Sequence, residues 1–215
     1  NHDGWGVVRA GKVVFVAGAL PGETIEYRIR KRERSHDEGE LVSVLTPSAD
    51  RVTPKCAHYG HCGGCSLQHL APHSQMAMKD TMLRETLRRL GKVEPERWLP
   101  PLSGEPWGYR RSARLGARFM QSKGRSLVGF RERFSSHVAA IERCEVLVPQ
   151  VGAIIGELSA LITSLSIPER IPQVEIAAGD DGIVLVLRIL SPLTGGDREK
   201  LVQFGRQHGL RWLLQ

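Results

Sequence analysis

The placement of four cysteines is the strongest constraint that this sequence puts on its fold. They are Cys56, Cys62, Cys65 and Cys144. The first three follow the spacing C-x5-C-x2-C, and the fourth comes much later in the chain. Glycines at 60, 63 and 64 surround the triplet, and glycine lets a backbone fold tightly around a small group and approach it closely. The sequence therefore predicts a tight loop at 56–65 that is joined to a distant segment.

Three kinds of site compete for these cysteines. Disulfides need an oxidising compartment, and the chain opens without a basic and apolar leader, so we expect thiols. Structural zinc usually takes two close pairs of ligands; one pair is missing here, although His58, His61 and His69 could substitute. A [4Fe–4S] cluster accepts three thiolates from one loop and a fourth from far away, which fits the spacing best. Four thiolates leave no iron open, so a structural or sensing cluster is favoured over a radical generator.

Positive charge is concentrated in the middle of the chain. The net charge is +7, and the stretch 110–133 holds eight Arg and Lys residues against Glu132 alone. Residues 144–215, with six basic and eight acidic side chains, have a net charge of −2. A local cluster of this kind is typical of a protein that binds a polyanion, although a solvated basic face would look the same.

The hydrophobic pattern predicts an α+β fold. Residues 5–46 read as short strands, and Ile25, Tyr27 and Ile29 alternate with charged side chains, as in a half-buried strand. Four or five such strands fit an OB-like antiparallel β-barrel. We expect this barrel at 1–48, a cysteine-rich iron–sulfur loop at 49–70, and a central α/β domain at 71–215.

Helices and further strands are predicted beyond the cysteine loop. A helix at about 73–90 has Met76, Leu83, Leu87 and Leu90 on one face and Gly91 as a C-terminal cap. A second helix starts near Pro149, with an apolar stripe from Val151 to Leu165. Strands at 173–178 and 183–190 flank the hairpin signal Gly179–Gly182, and a third helix spans about 197–208.

Two basic strands are expected to form a binding surface. Residues 109–119 and 126–134 read as strands with arginines on one face. If these strands are neighbours, five guanidinium groups share one surface: Arg110, Arg114, Arg118, Arg131 and Arg133. The guanidinium fork suits phosphate oxygens, and Tyr59, Trp107 and Tyr109 are candidates for stacking on bases, although aromatic residues at such positions are more often core.

Several segments together resemble a known family. The segments Gly4–Val7 and Phe15–Glu23 look like the TRAM domain, a small RNA-binding barrel. The segment Cys56–Leu70 resembles the iron–sulfur motif of the bacterial 23S ribosomal RNA (uracil-C5)-methyltransferases. Gly108–Arg111, Gly129–Arg131 and Cys144 resemble that family's central domain. The N-terminal TRAM-like segment favours the members that act at uracil 1939, and the resemblance implies that the four cysteines bind a [4Fe–4S] cluster.

The resemblance also implies chemistry that this sequence does not carry. The family methylates uracil at C5 with S-adenosylmethionine after a cysteine thiolate attacks C6. All four cysteines are assigned to the cluster, so we expect no catalytic residue in this chain. No strand is followed by a Gly-rich turn that would cradle the methyl donor. The chain is expected to be truncated before a Rossmann-like catalytic domain that binds S-adenosylmethionine.

The expected function is therefore the RNA-recognition part of a 23S rRNA (uracil-1939-C5) methyltransferase. The resemblance implies 23S ribosomal RNA as partner and a cytoplasmic location, and we expect no membrane association. A non-enzymatic RNA-binding protein with an iron–sulfur cluster or zinc is the alternative.

Overall fold

The computed structural model describes residues 4–215, and the chain divides into two compact units. The first comprises the chain up to Lys55 together with Cys65–Ser103, and the second comprises Cys56–Gly64 together with Gly104–Gln215. No helix in the described part of the chain has the length and apolar character needed to cross a membrane.

The first unit contains a four-stranded sheet. Its strands are β1 (Trp5–Val8), β2 (Val14–Ala17), β3 (Thr24–Arg32) and β4 (Asp37–Thr46). Their order is β1-β2-β4-β3, with β2 parallel to β4 and the other pairs antiparallel. The prediction of an antiparallel barrel is wrong. Within residues 4–215 the sheet is open, because its edge strands β1 and β3 do not pair. The chain reverses twice between β2 and β4, which places those two strands side by side in the same direction.

The alternating pattern of β3 is confirmed by its packing. Val14, Val16 and Ala19 form a small buried core, and the half-buried Ile25, Tyr27 and Ile29 pack against it. The intervening Glu26, Arg28 and Arg30 include exposed side chains that pair with neighbours on β4, such as Arg28 with Glu40. Burying one face of a period-two strand thus specifies its register.

A buried ion pair attaches the segment after β4 to this sheet. Arg51 donates to both carboxylate oxygens of Glu23, one bond measuring 2.7 Å, and to the carbonyl oxygen of Gly18. The Glu23 carboxylate also accepts from the backbone N–H groups of Leu20 and Ser48. Burial tends to raise the pKa of Glu23, but the hydrogen bonds, first of all those from Arg51, outweigh it and lower that pKa to about 2.

The helix of the first unit lies where it was predicted, but its apolar stripe is not buried. Helix α1 (Pro72–Thr86) continues into a π-helical turn at Leu87–Gly91, and no residue of either is buried. Leu83 is 54% exposed and Leu90 is 81% exposed. The residue in the left-handed conformation is Lys92 (φ 51°) rather than the predicted cap Gly91. Met76 and Leu87 on the predicted apolar face are only half-buried, so this face is not part of a core.

The second unit contains a five-stranded mixed sheet. Its strands are β5 (Ser112–Met120), β6 (Arg125–Gly129), β7 (Gln173–Ala178), β8 (Ile183–Arg188) and β9 (Leu210–Leu214). Their order is β6-β5-β7-β8-β9, and only the pair of β8 with β9 is parallel among these strands. The predicted hairpin at Gly179–Gly182 connects β7 and β8, as its turn residues indicated.

Three helices belong to this unit, namely α2 (Pro149–Gly152), α3 (Ile155–Ser164) and α4 (Gly195–His208). The predicted stripe is confirmed: Ile155, Leu158 and Ile162 are fully buried, as are Leu115, Val174 and Leu185 on one face of the sheet. Helix α3 packs beside β6, where the N–H groups of Ser126 and Val128 donate to the hydroxyls of Thr163 (2.8 Å) and Ser159 (3.1 Å).

Helix α4 begins with a complete capping box. Thr194 accepts from the N–H of Asp197, and Asp197 accepts from the N–H and hydroxyl of Thr194. Ser166 also donates to Asp197 through its hydroxyl, at 2.6 Å, and its N–H. Burial acts to raise the pKa of Asp197, but these bonds prevail and hold it well below its ordinary value. The cap thereby ties the start of α4 to the segment after α3.

Candidate functional site

The cysteine loop pairs with a segment of the second unit that lies far along the chain. Cys62 forms an antiparallel bridge with Glu132. The N–H of Gly63 donates to the carbonyl of Arg131, and the N–H of Arg133 donates to the carbonyl of His61, both at 2.8 Å. The local sequence carries no signal for this pairing, because bridges between distant segments depend on the folded topology.

Two glycines of the loop are required for this close approach. A Cβ atom on Gly63 would lie 2.9 Å from the carbonyl oxygen of Arg131, and one on Gly64 would lie 2.8 Å from the ring of Phe130. Gly60 has a φ of 91°, which disfavours other residues. The predicted tight loop is present. The absence of side chains at Gly63 and Gly64 lets this loop contact Arg131 and Phe130.

The segment that carries Cys144 is held by its own contacts. The N–H of Cys144 donates to the carbonyl of Gly152 at 2.9 Å, which anchors it beside α2. Two residues earlier, the N–H of Glu142 donates to Nε2 of His58, at 3.4 Å. The cysteine loop and the segment before Cys144 are therefore in contact within the second unit.

Within residues 4–215, the four cysteines form no disulfide. Cys144 is buried, and Cys56, Cys62 and Cys65 are half-buried. The N–H of Gly64 points at Sγ of Cys62 from 3.5 Å. Nevertheless, across residues 4–215 no group of three or more His, Cys, Asp or Glu side chains is arranged to hold a metal ion. The donor chemistry suits iron, but the side chains as placed do not make a metal site, so the cluster remains a prediction.

The five predicted RNA-binding arginines do not all lie on the two paired strands. Strands β5 and β6 are neighbours, as expected, and Arg114 and Arg118 lie on the exposed face of β5. Strand β6 ends at Gly129, so Arg131 and Arg133 follow it in the segment that pairs with the cysteine loop. The five positions thus divide between a sheet face and the vicinity of the loop.

The arginines near the loop contact aromatic rings. The guanidinium of Arg110 lies 5.3 Å from the ring centre of Phe130 and contacts the carbonyl of Gly64 at 3.5 Å. That of Arg133 lies 5.9 Å from the ring of Tyr59. Of the three predicted stacking residues, Tyr109 is 56% exposed, while Tyr59 and Trp107 are half-buried. Tyr109 is thus the ring with most surface available to a base.

Three exposed arginines on the sheet were not named from the sequence. Arg125 belongs to β6, Arg188 ends β8 and Arg211 lies on β9. Arg188 and Arg211 belong to residues 144–215, whose net charge is negative. The distribution of charge along the sequence therefore does not point to them. The signal that could have found them is their period-two position next to buried residues such as Leu187 and Leu210.

Comparison with solved structures shows the fold. The chain resembles the crystal structure of the Pyrococcus abyssi tRNA (uracil-54, C5)-methyltransferase in complex with S-adenosyl-L-homocysteine, with a TM-score of 0.62. The match covers 93% of this chain and 46% of that chain at 20% identity. No protein-family model matches the sequence.

Comparison with curated proteins finds much closer sequences. The chain is 53% identical over its whole length to the 23S rRNA (uracil(1939)-C(5))-methyltransferase RlmD of Nitrosococcus oceani. It is 46% identical over its whole length to the protein of the same name from Alcanivorax borkumensis. It covers 48% of each of these relatives. The chain therefore spans about half the length of the curated relatives it matches.

Proposed function

We propose that this chain is the RNA-recognition part of an S-adenosylmethionine-dependent 23S rRNA (uracil-1939-C5) methyltransferase, a cytoplasmic enzyme of ribosomal RNA modification. The observation that carries this proposal is the 53% identity, extending over the whole chain, to a methyltransferase with that substrate. Another part of the same protein would bind S-adenosylmethionine and perform methyl transfer. No step of that chemistry is assigned to residues 1–215.

The charge distribution supports a role in RNA recognition. The basic stretch 110–133 supplies β5, β6 and the segment that pairs with the cysteine loop. Phosphate oxygens are the natural partners of such a group of arginines, and each neutralised phosphate adds salt-dependent affinity. The exposed ring of Tyr109 is available for stacking on an unpaired base. We keep Arg110, Arg114, Arg118, Arg131 and Arg133 as proposed RNA contacts.

Domain assignments remain part of the proposal. We propose that residues 1–48 are a TRAM domain, that residues 49–70 form the iron–sulfur loop, and that residues 71–215 form the central RNA-binding domain. We further propose that Cys56, Cys62, Cys65 and Cys144 hold a [4Fe–4S] cluster. Its support is the cysteine spacing and the backbone N–H of Gly64 that is directed at Sγ of Cys62.

Methyl transfer is tested with the complete gene product that contains this sequence. The purified protein is incubated with methyl-labelled S-adenosylmethionine and 23S rRNA that lacks the modification. We expect label in 5-methyluridine at position 1939, located by nuclease digestion and mass spectrometry. Labelling at another nucleotide, or none with an intact rRNA substrate, contradicts the proposal.

The cluster is tested by metal analysis of protein prepared without oxygen. We expect iron and sulfide in equal amounts and a brown colour with absorbance at about 400 nm. The Cys144→Ser variant should lose most of the iron. A colourless protein that contains zinc would contradict the cluster and favour the alternative metal.

A further inference from the structure

We propose that the exposed face of the five-stranded sheet binds the phosphodiester backbone of the RNA through Arg118, Arg125, Arg188 and Arg211. This inference rests on the proposed function, which supplies RNA as the partner. It adds a surface made by four different strands, two of whose arginines come from the acidic part of the sequence.

Strand register places these four side chains on the same face. Arg118 pairs with Leu127, and Arg125 lies two residues before Leu127. Arg118 and Arg125 are thus diagonal neighbours, with Cα atoms about 7–8 Å apart. On the other side of β5, Gly116 pairs with Gln173, which pairs with Arg188.

The position of Arg211 follows from the next row of paired residues in the sheet. Ser112 pairs with Ala177, Ala177 with Val184, and Val184 with Arg211. Ser112, Gly116 and Arg118 alternate with the buried Leu115 and Ala117 on β5, so both rows share this face, which is exposed at Ser112 and Arg118 and covered by Val138 at Gly116. The arginines therefore extend from β6 to β9.

The charges of this face are largely unpaired. Its one carboxylate along the paired strands is Glu175, which accepts from Arg114 at 3.2 Å and from Gln173 at 2.6 Å. Within residues 4–215, the side chains of Arg118, Arg125, Arg188 and Arg211 make no ion pair or hydrogen bond, and all four are exposed. An anion on this face would therefore gain charge-assisted hydrogen bonds without displacing an existing partner.

The other side chains of the face indicate contact with the backbone rather than the bases. The aromatic residues of the described strands of this sheet, Phe119 and Trp212, alternate with Arg118 and Arg211 and so point to the opposite face. Trp212 lies there beside Phe204 of α4. The exposed face carries aliphatic residues such as Val184 and Leu213 between the arginines. Without rings on which bases can stack, phosphate is the group that this face recognises.

The face is continuous with the segment that pairs with the cysteine loop. A Cβ on Gly116 would lie 2.8 Å from Cγ2 of Val138, and one on Gly129 would lie 2.6 Å from the carbonyl oxygen of Ala139. Residues 138–139 therefore cross the face at these two paired glycines. A strand of RNA held near Arg131 and Arg133 can continue along the sheet beside this crossing.

The test compares two double variants of the complete gene product. Arg188→Gln with Arg211→Gln removes two cations from the face, and Arg198→Gln with Arg206→Gln removes two exposed cations from α4, on the other side of the sheet. Affinity is measured for a 23S rRNA hairpin containing uracil 1939 at several salt concentrations. We expect the face variant to bind at least about tenfold more weakly and its log–log salt slope to fall by about 1.4. The α4 variant should match the parent protein.

The outcomes of this experiment separate failure of the sheet-face proposal from failure of the proposed function. If the parent binds the hairpin and the Arg188/Arg211 variant keeps the parent's affinity and slope, the sheet-face proposal is overturned. If that variant loses methyl transfer with unchanged RNA affinity, the face contacts protein instead, and the proposal is again overturned. If the parent protein itself neither binds nor methylates the rRNA, the proposed function fails. Changing the bases that flank the hairpin loop of the RNA should leave unchanged the loss of affinity caused by the Arg188/Arg211 double substitution.

Discussion

The helices α1 and α3 show how differently the two units of this chain are stabilised. Both carry apolar residues at helical spacing, yet α3 buries Ile155, Leu158 and Ile162, whereas α1 buries none. Helix α3 lies on a five-stranded sheet that offers it a continuous apolar face. The first unit has a small core around Val16 and a buried ion pair between Arg51 and Glu23. Periodicity thus specifies a helix, while a matching surface decides whether the helix contributes to the core.

The largest expected effect comes from emptying the core of the second unit. Leu158→Ala should lower the free energy of unfolding of this unit by about 3–4 kcal/mol, because Leu158 is fully buried and its neighbours cannot fill the cavity. The measurement is urea denaturation, with hydrogen exchange to assign the loss to α3 and its sheet. A loss below about 1 kcal/mol would mean that α3 is not packed as described.

Breaking the ion pair should affect the first unit almost as strongly. Arg51→Ala leaves the Glu23 carboxylate buried without its cation, and we expect a loss of about 3 kcal/mol. Hydrogen exchange of the backbone amides in β2, β3 and β4 measures this loss of stability. Arg28→Ala is the matched control, because Arg28 and Glu40 form an exposed pair, and it should cost less than about 1 kcal/mol.

The same pair predicts the acid sensitivity of the first unit. Because folding lowers the pKa of Glu23 from 4.5 to about 2, its contribution is complete above pH 4.5 and is lost as the pH falls toward 2. Circular dichroism across this range should show a smaller pH dependence for Glu23→Gln than for the parent. Equal slopes for the two proteins would refute the role of this carboxyl.

A moderate effect is expected at the start of α4. Thr194→Ala removes one half of the capping box and should cost about 1 kcal/mol. Thermal unfolding is a sufficient measurement, and Thr194→Ser, which keeps the hydroxyl, is the control. A serine variant as unstable as the alanine variant would show that the methyl group matters rather than the cap.

The smallest effect is expected at the exposed stripe of α1. Leu83→Ala should change the free energy of unfolding by less than about 0.5 kcal/mol, since Leu83 is 54% exposed and alanine favours helix. Comparing it with Leu158→Ala by the same denaturation experiment tests the contrast between the two helices directly. A loss of several kcal/mol would mean that α1 is covered in solution.

Local patterns predicted much of this fold. The alternation of Ile25, Tyr27 and Ile29, the hairpin before β8, and the stripe of α3 each follow from the spacing of neighbouring residues. The parallel pairing of β2 with β4 does not, because it depends on how the connecting segments return. The open first sheet and the exposed stripe of α1 were missed for the same reason: burial requires a partner that the local sequence does not specify.

The candidate site was predictable in its residue types more than in its arrangement. Cysteine spacing and the density of arginine along the chain point to segments 56–65 and 110–133, which pair with each other in the structure, while their binding roles stay predictions. The pairing of Cys62 with Glu132 joins positions far apart in sequence, and no local pattern encodes it. Arg188 and Arg211 each stand among apolar residues in a part of the chain with net negative charge, so the density of charge along the sequence does not point to them.

The hydroxyls of Ser159 and Thr163 block the pairing of a further strand at one edge of the five-stranded sheet. By occupying the outward N–H groups of β6, they prevent strand addition on that side along Ser126–Val128. The opposite border, β9, has no such cover within residues 4–215. Any further strand, whether from the same polypeptide or from a second molecule, would therefore extend the sheet beyond β9. Aggregation through edge pairing would begin at that border as well.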